Sequence, residues 1–544
     1  MTQQCMTQQR MTQQRMTPLL KRTCALALLS ALVLTPAWAN PQLDELFDQA
    51  MERWDLPGMA VGVVQDGEVI YMRADGELRA GEGDRINEDT LFKIASNGKA
   101  MTTALLARLA DQGKLAWDDP VTRHLPEFRM YDPWVSEHIQ VRDLVIHNSG
   151  LGPAAGDLML WPEPNLFTRE QVVAGIAHLP PASSFRTRYN YSNVMYIVAG
   201  EVAAAASGAG SYEQALRQEL FEPLGLERCQ VGEWQRDEVG NVAQPHMQLD
   251  GRNVVIREDG ELVPAVPMAA AGGIRCSLRD MTAWIQMWLQ PDTHGLTDGQ
   301  PWLSQEQRRN LWSVHMPMPR GQRMRDGEGA NFSAYGLGWR ISDSDGTFKV
   351  GHTGTLSGMF SALTLLPQKG AGFVLMINGS GGDARTALGQ ALSMYFTSPD
   401  SGLDVNHYAN LIEQERAATA GQTDDGEAVP DTSARVPAEP ASIARWLGVY
   451  EDPWFGRASV CAVEGGQVQF ASERSPMLTG TVMESGGRLL VDWSEVTVSA
   501  EPWLDFSQPE QGGQPTLKVT RINPRVGSSY NFQDLAFVRI GDCR

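Results

Sequence analysis

Hydrophobic patterning changes character once along this chain, and that change limits the architectures open to it. From residue 42 to about 395, β-rich runs alternate with helical periodicities. From 446 to 544 only short β-rich runs separated by Gly-containing turns remain. Between them, at about 397–441, the composition shifts to Ala, Asp, Glu, Thr and Pro with few aromatics, which reads as a helix over 405–418 followed by a solvated linker. The pattern predicts an α+β domain at 40–400, a helix and linker at 401–440, and a small all-β barrel or sandwich domain at 441–544.

Local signals fill in both parts. Residues 60–64 and 69–73 are β-rich runs joined through Asp66-Gly67, a hairpin signal. Over 97–112, Met101, Leu105, Leu106 and Leu109 recur on one face, which predicts an amphipathic helix starting just after Ser96 and closing at Gly113. Two later β-rich runs, 348–350 leading into Gly351 and 373–377 ending at Asn378-Gly379, complete a sheet flanked by helices. In the tail, strands are expected at 458–462, 467–470, 488–493, 516–522 and 535–540.

The first 39 residues read as a leader. Within 16–39, a basic start (Lys21, Arg22) precedes an apolar run at 24–34 and a small-x-small ending, Ala37-Trp38-Ala39. Cleavage there makes Asn40 the first mature residue and places the protein in the periplasm or outside the cell. The apolar run is about half the roughly 20 residues needed to span a bilayer, and no later segment reaches that length without charge, so no integral membrane segment is expected in the mature chain. Cys24 opens the apolar run rather than ending it, which argues against a lipid-anchored cysteine. Ahead of this, Met-Thr-Gln-Gln occurs three times in residues 1–15, which reads as a start codon chosen upstream of Met16.

The formal net charge of −20 becomes more negative past residue 39, because four bases and no acid lie before it. Such a surface repels phosphate and argues against nucleic acid or an anionic bilayer as partner. Four cysteines remain after cleavage: Cys229, Cys276, Cys461 and Cys543. They are read either as two disulfides paired within each region or as free buried thiols. Neither Cys-x-x-Cys nor His-Glu-x-x-His occurs and the nine histidines are scattered, so neither a metal nor another cofactor is expected.

Three short motifs carry chemistry. In Ser96-Asn97-Gly98-Lys99 the spacing puts an amine beside a hydroxyl at a helix N-terminus, and lysine activates serine if its own pKa is lowered. Of seven lysines, only Lys99 has a serine three positions before it. In Tyr191-Ser192-Asn193, a phenol can carry a proton and an amide can orient the lysine and hold a substrate carbonyl. A second copy, Tyr408-Ala409-Asn410, lies in the expected helix before the linker and is set aside. In His352-Thr353-Gly354, an edge strand passing a nucleophile can offer backbone N–H to an oxyanion, glycine permits close approach, His352 can polarise or protonate, and Thr353 can bind a carboxylate. Each motif alone also has a plainer reading: an N-cap serine before a solvated lysine, a buried tyrosine, a polar turn.

Together, in this order, the motifs resemble the penicillin-recognising serine hydrolases related to class C β-lactamases. The resemblance extends over most of 42–395 and includes Leu91-Phe92-Lys93-Ile94-Ala95, His147-Asn148-Ser149-Gly150-Leu151, Ala271-Gly272-Gly273-Ile274 and Tyr335-Gly336-Leu337-Gly338-Trp339. It implies a β-lactamase/transpeptidase-like domain with an antiparallel sheet, a helical subdomain and a cleft between them. The tail, with Tyr450-Glu451-Asp452-Pro453-Trp454-Phe455-Gly456, is similar to the lipocalin-like β domain that often follows this module. The resemblance further implies Ser96 as acylated nucleophile, Lys99 as base, Tyr191 as proton carrier, and Asn193 as the group aligning lysine and substrate. His352 stands where β-lactamases usually have lysine, and the backbone N–H groups of Ser96 and Thr355 form the oxyanion hole. His-Thr-Gly in place of Lys-Thr-Gly looks like D-alanyl-D-alanine carboxypeptidases and D-amino-acid peptidases. The expected partner is therefore a small peptide or ester substrate. A β-lactamase or small-ester esterase is the alternative within the enzyme class, and a non-catalytic peptidoglycan- or peptide-binding protein the alternative outside it. Gly-x-Ser-x-Gly is absent, which excludes an α/β-hydrolase esterase. Composition and motifs leave the oligomeric state open.

Overall fold

The computed structural model describes residues 40–420, 428–509, 512–527 and 529–543. The expected leader at 1–39 and residues 421–427 of the expected linker lie outside them.

Asp66 and Gly67 both take positive φ (52° and 87°), the turn geometry that folds strand β1 (Gly58–Gln65) back onto β2 (Glu68–Gly76). All of β1 but its last residue is buried, so this strand lies inside a sheet covered on both faces. That sheet is completed by β3 (Met316–Pro317), β4 (Ser333–Tyr335), β5 (Arg340–Ser344), β6 (Thr347–Leu356), β7 (Met359–Leu366) and β8 (Ala371–Ile377). Its order is β3-β4-β5-β6-β7-β8-β1-β2, with antiparallel pairing throughout.

Strand alternation sorts side chains into two layers. Val61 and Val63 point outward to helices α1 (Pro41–Arg53), α5 (Gly382–Thr397) and α6 (Val405–Thr419), which pack on one another. Tyr408 of the second Tyr-x-Asn is buried in this outer layer. Ala60 and Val64 point inward to α4 (Leu278–Leu289) and the helical subdomain, whose centre is α2 (Gly98–Asp111) packed on α3 (Val194–Ser207).

Helix α2 departs from the expected amphipathic pattern: Gly98 through Ala107 are all buried. Its polar members survive burial because each finds a partner. Thr102 Oγ1 donates to Ala270 O (2.7 Å) and Thr103 Oγ1 to Lys99 O (2.9 Å). Strand β6 also differs from expectation. It is paired with β5 and β7 rather than lying at an edge, because the short runs at Ser333–Tyr335 and Arg340–Ser344, interrupted by Gly336 and Gly338, form further strands outside it.

The tail forms a closed eight-stranded barrel: β9 (Gly448–Asp452), β10 (Gly456–Ala462), β11 (Val468–Ser472), β12 (Thr479–Ser485), β13 (Arg488–Trp493), β14 (Pro502–Ser507), β15 (Thr516–Arg521) and β16 (Phe537–Gly541). Pairing of β12 with β13, together with β9 with β16, closes the ring. Three of these strands, β9, β12 and β14, go beyond the five expected. Phe455, Phe470, Leu504 and Phe532 fill the interior, leaving a cavity of about 10 Å³, too small for a ligand.

Disulfides join Cys229 to Cys276 and Cys461 to Cys543. Among the described residues, no group of three His, Cys, Asp or Glu is placed to hold a metal ion. No single helix there is long and apolar enough to cross a membrane; one bent pair, Val194–Ser207 with Tyr212–Leu224, passes by length and composition.

Candidate active site

Ser96 sits in a single 3-10 turn, Ala95–Asn97, that runs directly into α2. The turn is held in an unfavourable conformation: Ala95, fully buried, has φ +50°. A non-glycine residue in that region costs about 1–2 kcal/mol, so surrounding contacts must over-determine it. They do so from two sides. Ser361 Oγ on β7 donates to Ile94 O (2.7 Å) and accepts from Asn97 Nδ2 (2.7 Å). Ile94 N donates to Ile274 O (3.0 Å) in the Ala271–Ile274 stretch.

One helical turn on, the wholly buried Lys99 amine makes three contacts: Ser96 Oγ at 3.0 Å, Asn193 Oδ1 at 2.8 Å and Ala271 O at 2.7 Å. Burial pulls its pKa down to about 7, opposed by the charge of Asp157 and assisted by Arg340. Asn193, at the start of α3, turns its other amide end to Asp157 and donates from Nδ2 to Oδ2 at 2.8 Å. Tyr191 presents its ring 4.9 Å from the Lys99 nitrogen. Desolvation pushes the Tyr191 phenol up to about 12, while its hydrogen bond with Ser96 pulls the other way. The phenol therefore holds its proton at neutral pH.

Strand β6 passes the Ser96 turn closely enough to require glycine. A Cβ on Gly354 would lie 2.2 Å from Ile94 O and 3.0 Å from Ala95 Cβ. His352 faces the same inner side, buried, with its ring 6.3 Å from that of Tyr191. Its Nδ1 donates to Thr353 O (2.8 Å) and its Nε2 accepts from Tyr335 Oη (3.0 Å), the pattern of a neutral imidazole. Burial, Arg340 and Lys99 all hold its pKa well below 6.5.

Thr353 and Thr355 alternate to the opposite side of the strand. There Arg385 Nη1 on α5 donates to Gly354 O (2.8 Å) and Thr355 Oγ1 (2.6 Å), while its buried Nε has no partner among the described residues. Arg340, Thr353, Thr364 and Arg385 line a cavity of about 340 Å³. Thus Ser96, Lys99, Tyr191 and Asn193 form one contiguous group, His352 joins it through the aromatic cluster, Thr353 borders a neighbouring cationic cavity, and Thr355 meets one of its arginines, Arg385.

Several contributors went unread as site residues in the sequence. Ala271, His147 and Tyr335 were visible only as parts of family-like neighbourhoods. Ala271 supplies a carbonyl to Lys99. His147 accepts from Ser192 N at 3.0 Å and packs its ring 4.3 Å from that of Tyr191, and Tyr335 fixes His352. Arg340, directly after Trp339, lacked any marker, as did Asp157 within an otherwise apolar loop.

The family described as Beta-lactamase matches residues 43–393 of this chain. The chain belongs to the Beta-lactamase family. Members of this family are serine hydrolases, and the match spans the Ser96–Lys99, Tyr191–Asn193 and His352–Gly354 motifs. Among its relatives are the unguisins hydrolase ungD' of Aspergillus campestris, 25% identical over 449 residues (79% of each chain). Penicillin-binding protein 4 of Amycolatopsis lactamdurans is 27% identical, covering 62% of this chain and 84% of its own. The D-alanyl-D-alanine-carboxypeptidase/endopeptidase AmpH of Escherichia coli is 25% identical, covering 64% and 86%. The fold, barrel included, is similar to that of the octameric penicillin-binding protein homologue from Pyrococcus abyssi (TM-score 0.55, 19% identity, 92% of this chain and 99% of that one). For this member of the Beta-lactamase family, the glycines and small residues around Ser96 and Lys99 have a direct packing reason. A Cβ on Gly338, whose φ is +79°, would strike Thr103 Oγ1 at 2.1 Å and Lys99 O at 3.0 Å.

Proposed function

We propose that this protein is an exported serine hydrolase that forms an acyl-enzyme on Ser96 and cleaves peptide bonds in D-amino-acid-containing peptides, in the manner of a D-alanyl-D-alanine carboxypeptidase or D-aminopeptidase. The observation that carries the reading is the 3.0 Å contact between a fully buried lysine amine and the serine hydroxyl. In its neutral form Lys99 keeps two N–H bonds for Asn193 and Ala271 and turns its lone pair on Ser96. Lys99 takes the Ser96 proton as Oγ attacks the substrate carbonyl. The backbone N–H groups of Ser96 and Thr355 receive the oxyanion, each such donor contributing about 2.7–4 kcal/mol. Tyr191 protonates the leaving amine and recovers a proton from Lys99. Water then releases the acyl group by the reverse sequence.

The choice of substrate rests on charge. With His352 neutral, the positive charge acting on the site comes from Arg340 and, across β6, from Arg385, both of which lower the His352 pKa, and this suits a substrate with a carboxylate near the scissile bond. A D-alanyl-D-alanine terminus carries one; a simple ester does not. The printed names of the relatives, a hydrolase, a penicillin-binding protein and a D-alanyl-D-alanine carboxypeptidase, favour the same class. A β-lactam also bears a carboxylate, so the two arginines make β-lactamase the second reading. Two disulfides suit an oxidising compartment and support export. Comparing turnover of D-alanyl-D-alanine peptides, nitrocefin and p-nitrophenyl esters tests the assignment. Efficient release of D-alanine is expected; efficient turnover of nitrocefin alone would overturn it.

A further inference from the structure

Behind the lysine, the hydrogen-bond chain continues out of the hydrolase domain. Asp157 is completely buried in the loop before helix Arg169–Gly175, and only its Oδ2 is engaged, by Asn193. Its Oδ1 lacks a donor at hydrogen-bonding geometry among the described residues. A buried carboxyl half satisfied in this way is costly unless the surrounding structure provides for it.

What covers it comes from the barrel. Between β15 and β16 the chain leaves the barrel wall and lies over this loop. Asn531, buried, donates from Nδ2 to Pro153 O (3.1 Å) and to Asp534 Oδ2 (2.7 Å), and the Ser529 hydroxyl faces the Asp157 carboxyl. The same loop is gripped at its far end. Leu166 N donates to Arg474 O (2.7 Å), and the Phe167 ring lies 5.9 Å from that of Phe455. The family-like Asp452-Pro453-Trp454-Phe455 sequence serves this grip. Asp452 accepts from Trp454 N, Phe455 N and Ala536 N, holding the two aromatic rings against the hydrolase domain.

Resting on the reading of Ser96 and Lys99 above, we infer that Asp157 is a positioning residue for Lys99, acting through Asn193, and that the Ser529–Asp534 stretch of the barrel completes its site. The barrel, filled inside, is then a structural part of the catalytic apparatus rather than a ligand carrier. Asp157 sets where the lysine's amine sits, through the Asn193 amide. The groups that face Asp157 and its chain are Lys99, Tyr191, Asp534 and the Ser529 hydroxyl, with Arg340 acting on Lys99. Burial pushes the Asp157 carboxyl up to about 8, against the pull of Asn193, Lys99 and Ser529, so on the acid side of that it is neutral and acts on Lys99 by position rather than by charge.

The test is the pH dependence of Ser96 acylation by a fluorophosphonate, measured on the full chain and on Asp157→Ala, Asp157→Asn and Ser529→Ala. The Ala variant, with no acceptor for Asn193, is expected to lose at least ~10-fold in plateau rate. The Asn variant, whose amide oxygen accepts from Asn193 as the carboxyl does, recovers most of that loss with its acid limb unmoved, and Ser529→Ala loses less than Asp157→Ala. An Asp157→Ala variant that folds and acylates at the wild-type rate, an Asp157→Asn variant whose plateau rate is itself down ~10-fold or more, or a Ser529→Ala variant indistinguishable from wild type would overturn the inference. A wild type that fails to acylate on Ser96 would instead sink the reading beneath it.

Discussion

Lys99 has three acceptors around it and three N–H bonds only when charged, so its competence as a base depends on which proton it gives up. Asn193 and Ala271 hold two of them in place, and the proton lost is the one aimed at Ser96. With desolvation holding the pKa near 7, the acylation rate is expected to rise from acid pH with a midpoint near 7, as the ammonium form disappears. It should stay high until Tyr191 ionises near pH 12. A rate that declines between pH 6 and 8 would contradict this assignment. Because Tyr191 keeps its proton over that range, Tyr191→Phe removes the acid for the leaving amine and should lower kcat for peptide substrates by about 10²–10⁴-fold. Substrates whose leaving group departs without a proton should suffer much less, which steady-state kinetics on a matched amide and activated ester would measure.

At the scale of elements, the site is a meeting of one turn, two helix N-termini and one strand. The Ser96 turn is strained and braced by β7, the Lys99 helix is buried nearly all round, and β6 runs against both. The tightness of that approach makes Gly354→Ala informative. The new methyl would meet a carbonyl oxygen at 2.2 Å, so β6 must move away from the turn. We expect a stability loss of about 1–3 kcal/mol by thermal unfolding, with acylation falling by more than the unfolded fraction explains. Much of this was legible beforehand. The hairpin at Asp66-Gly67, the helix after Ser96 and the glycine beside His352 follow from turn chemistry and periodicity. The position of β6 inside the sheet was not legible, because its outer neighbours are short and interrupted by Gly336 and Gly338, leaving no periodic run to read. Asp157 was equally hidden: one acid among Pro, Ala and Gly carries no pattern, and its meaning comes from a barrel segment more than 350 residues away.

Across the whole molecule, two bodies of different architecture meet behind one site. The hydrolase domain carries Ser96, Lys99, Tyr191 and Asn193, and the barrel braces the loop behind them through Arg474, Phe455 and Asn531. The Cys461–Cys543 disulfide ties β10 to the chain just past β16, securing the barrel where its last strand closes the ring. Replacing both cysteines with serine is expected to destabilise the protein by about 2–4 kcal/mol. If barrel and site are coupled as described, loss of acylation activity on heating this variant should track barrel unfolding followed by tryptophan fluorescence. The barrel was visible in the sequence as a run of short strands, but its closure was not, since the β9–β16 pairing depends on partners at opposite ends of the tail.

The central claim is that Ser96 becomes covalently acylated because Lys99 takes its proton. Peptide mapping by mass spectrometry after incubation with a fluorescent penicillin measures this directly. The account predicts a single adduct on the peptide containing Ser96, absent in Ser96→Ala and formed far more slowly in Lys99→Ala. An adduct on another residue, or one that persists undiminished in Ser96→Ala, would contradict it.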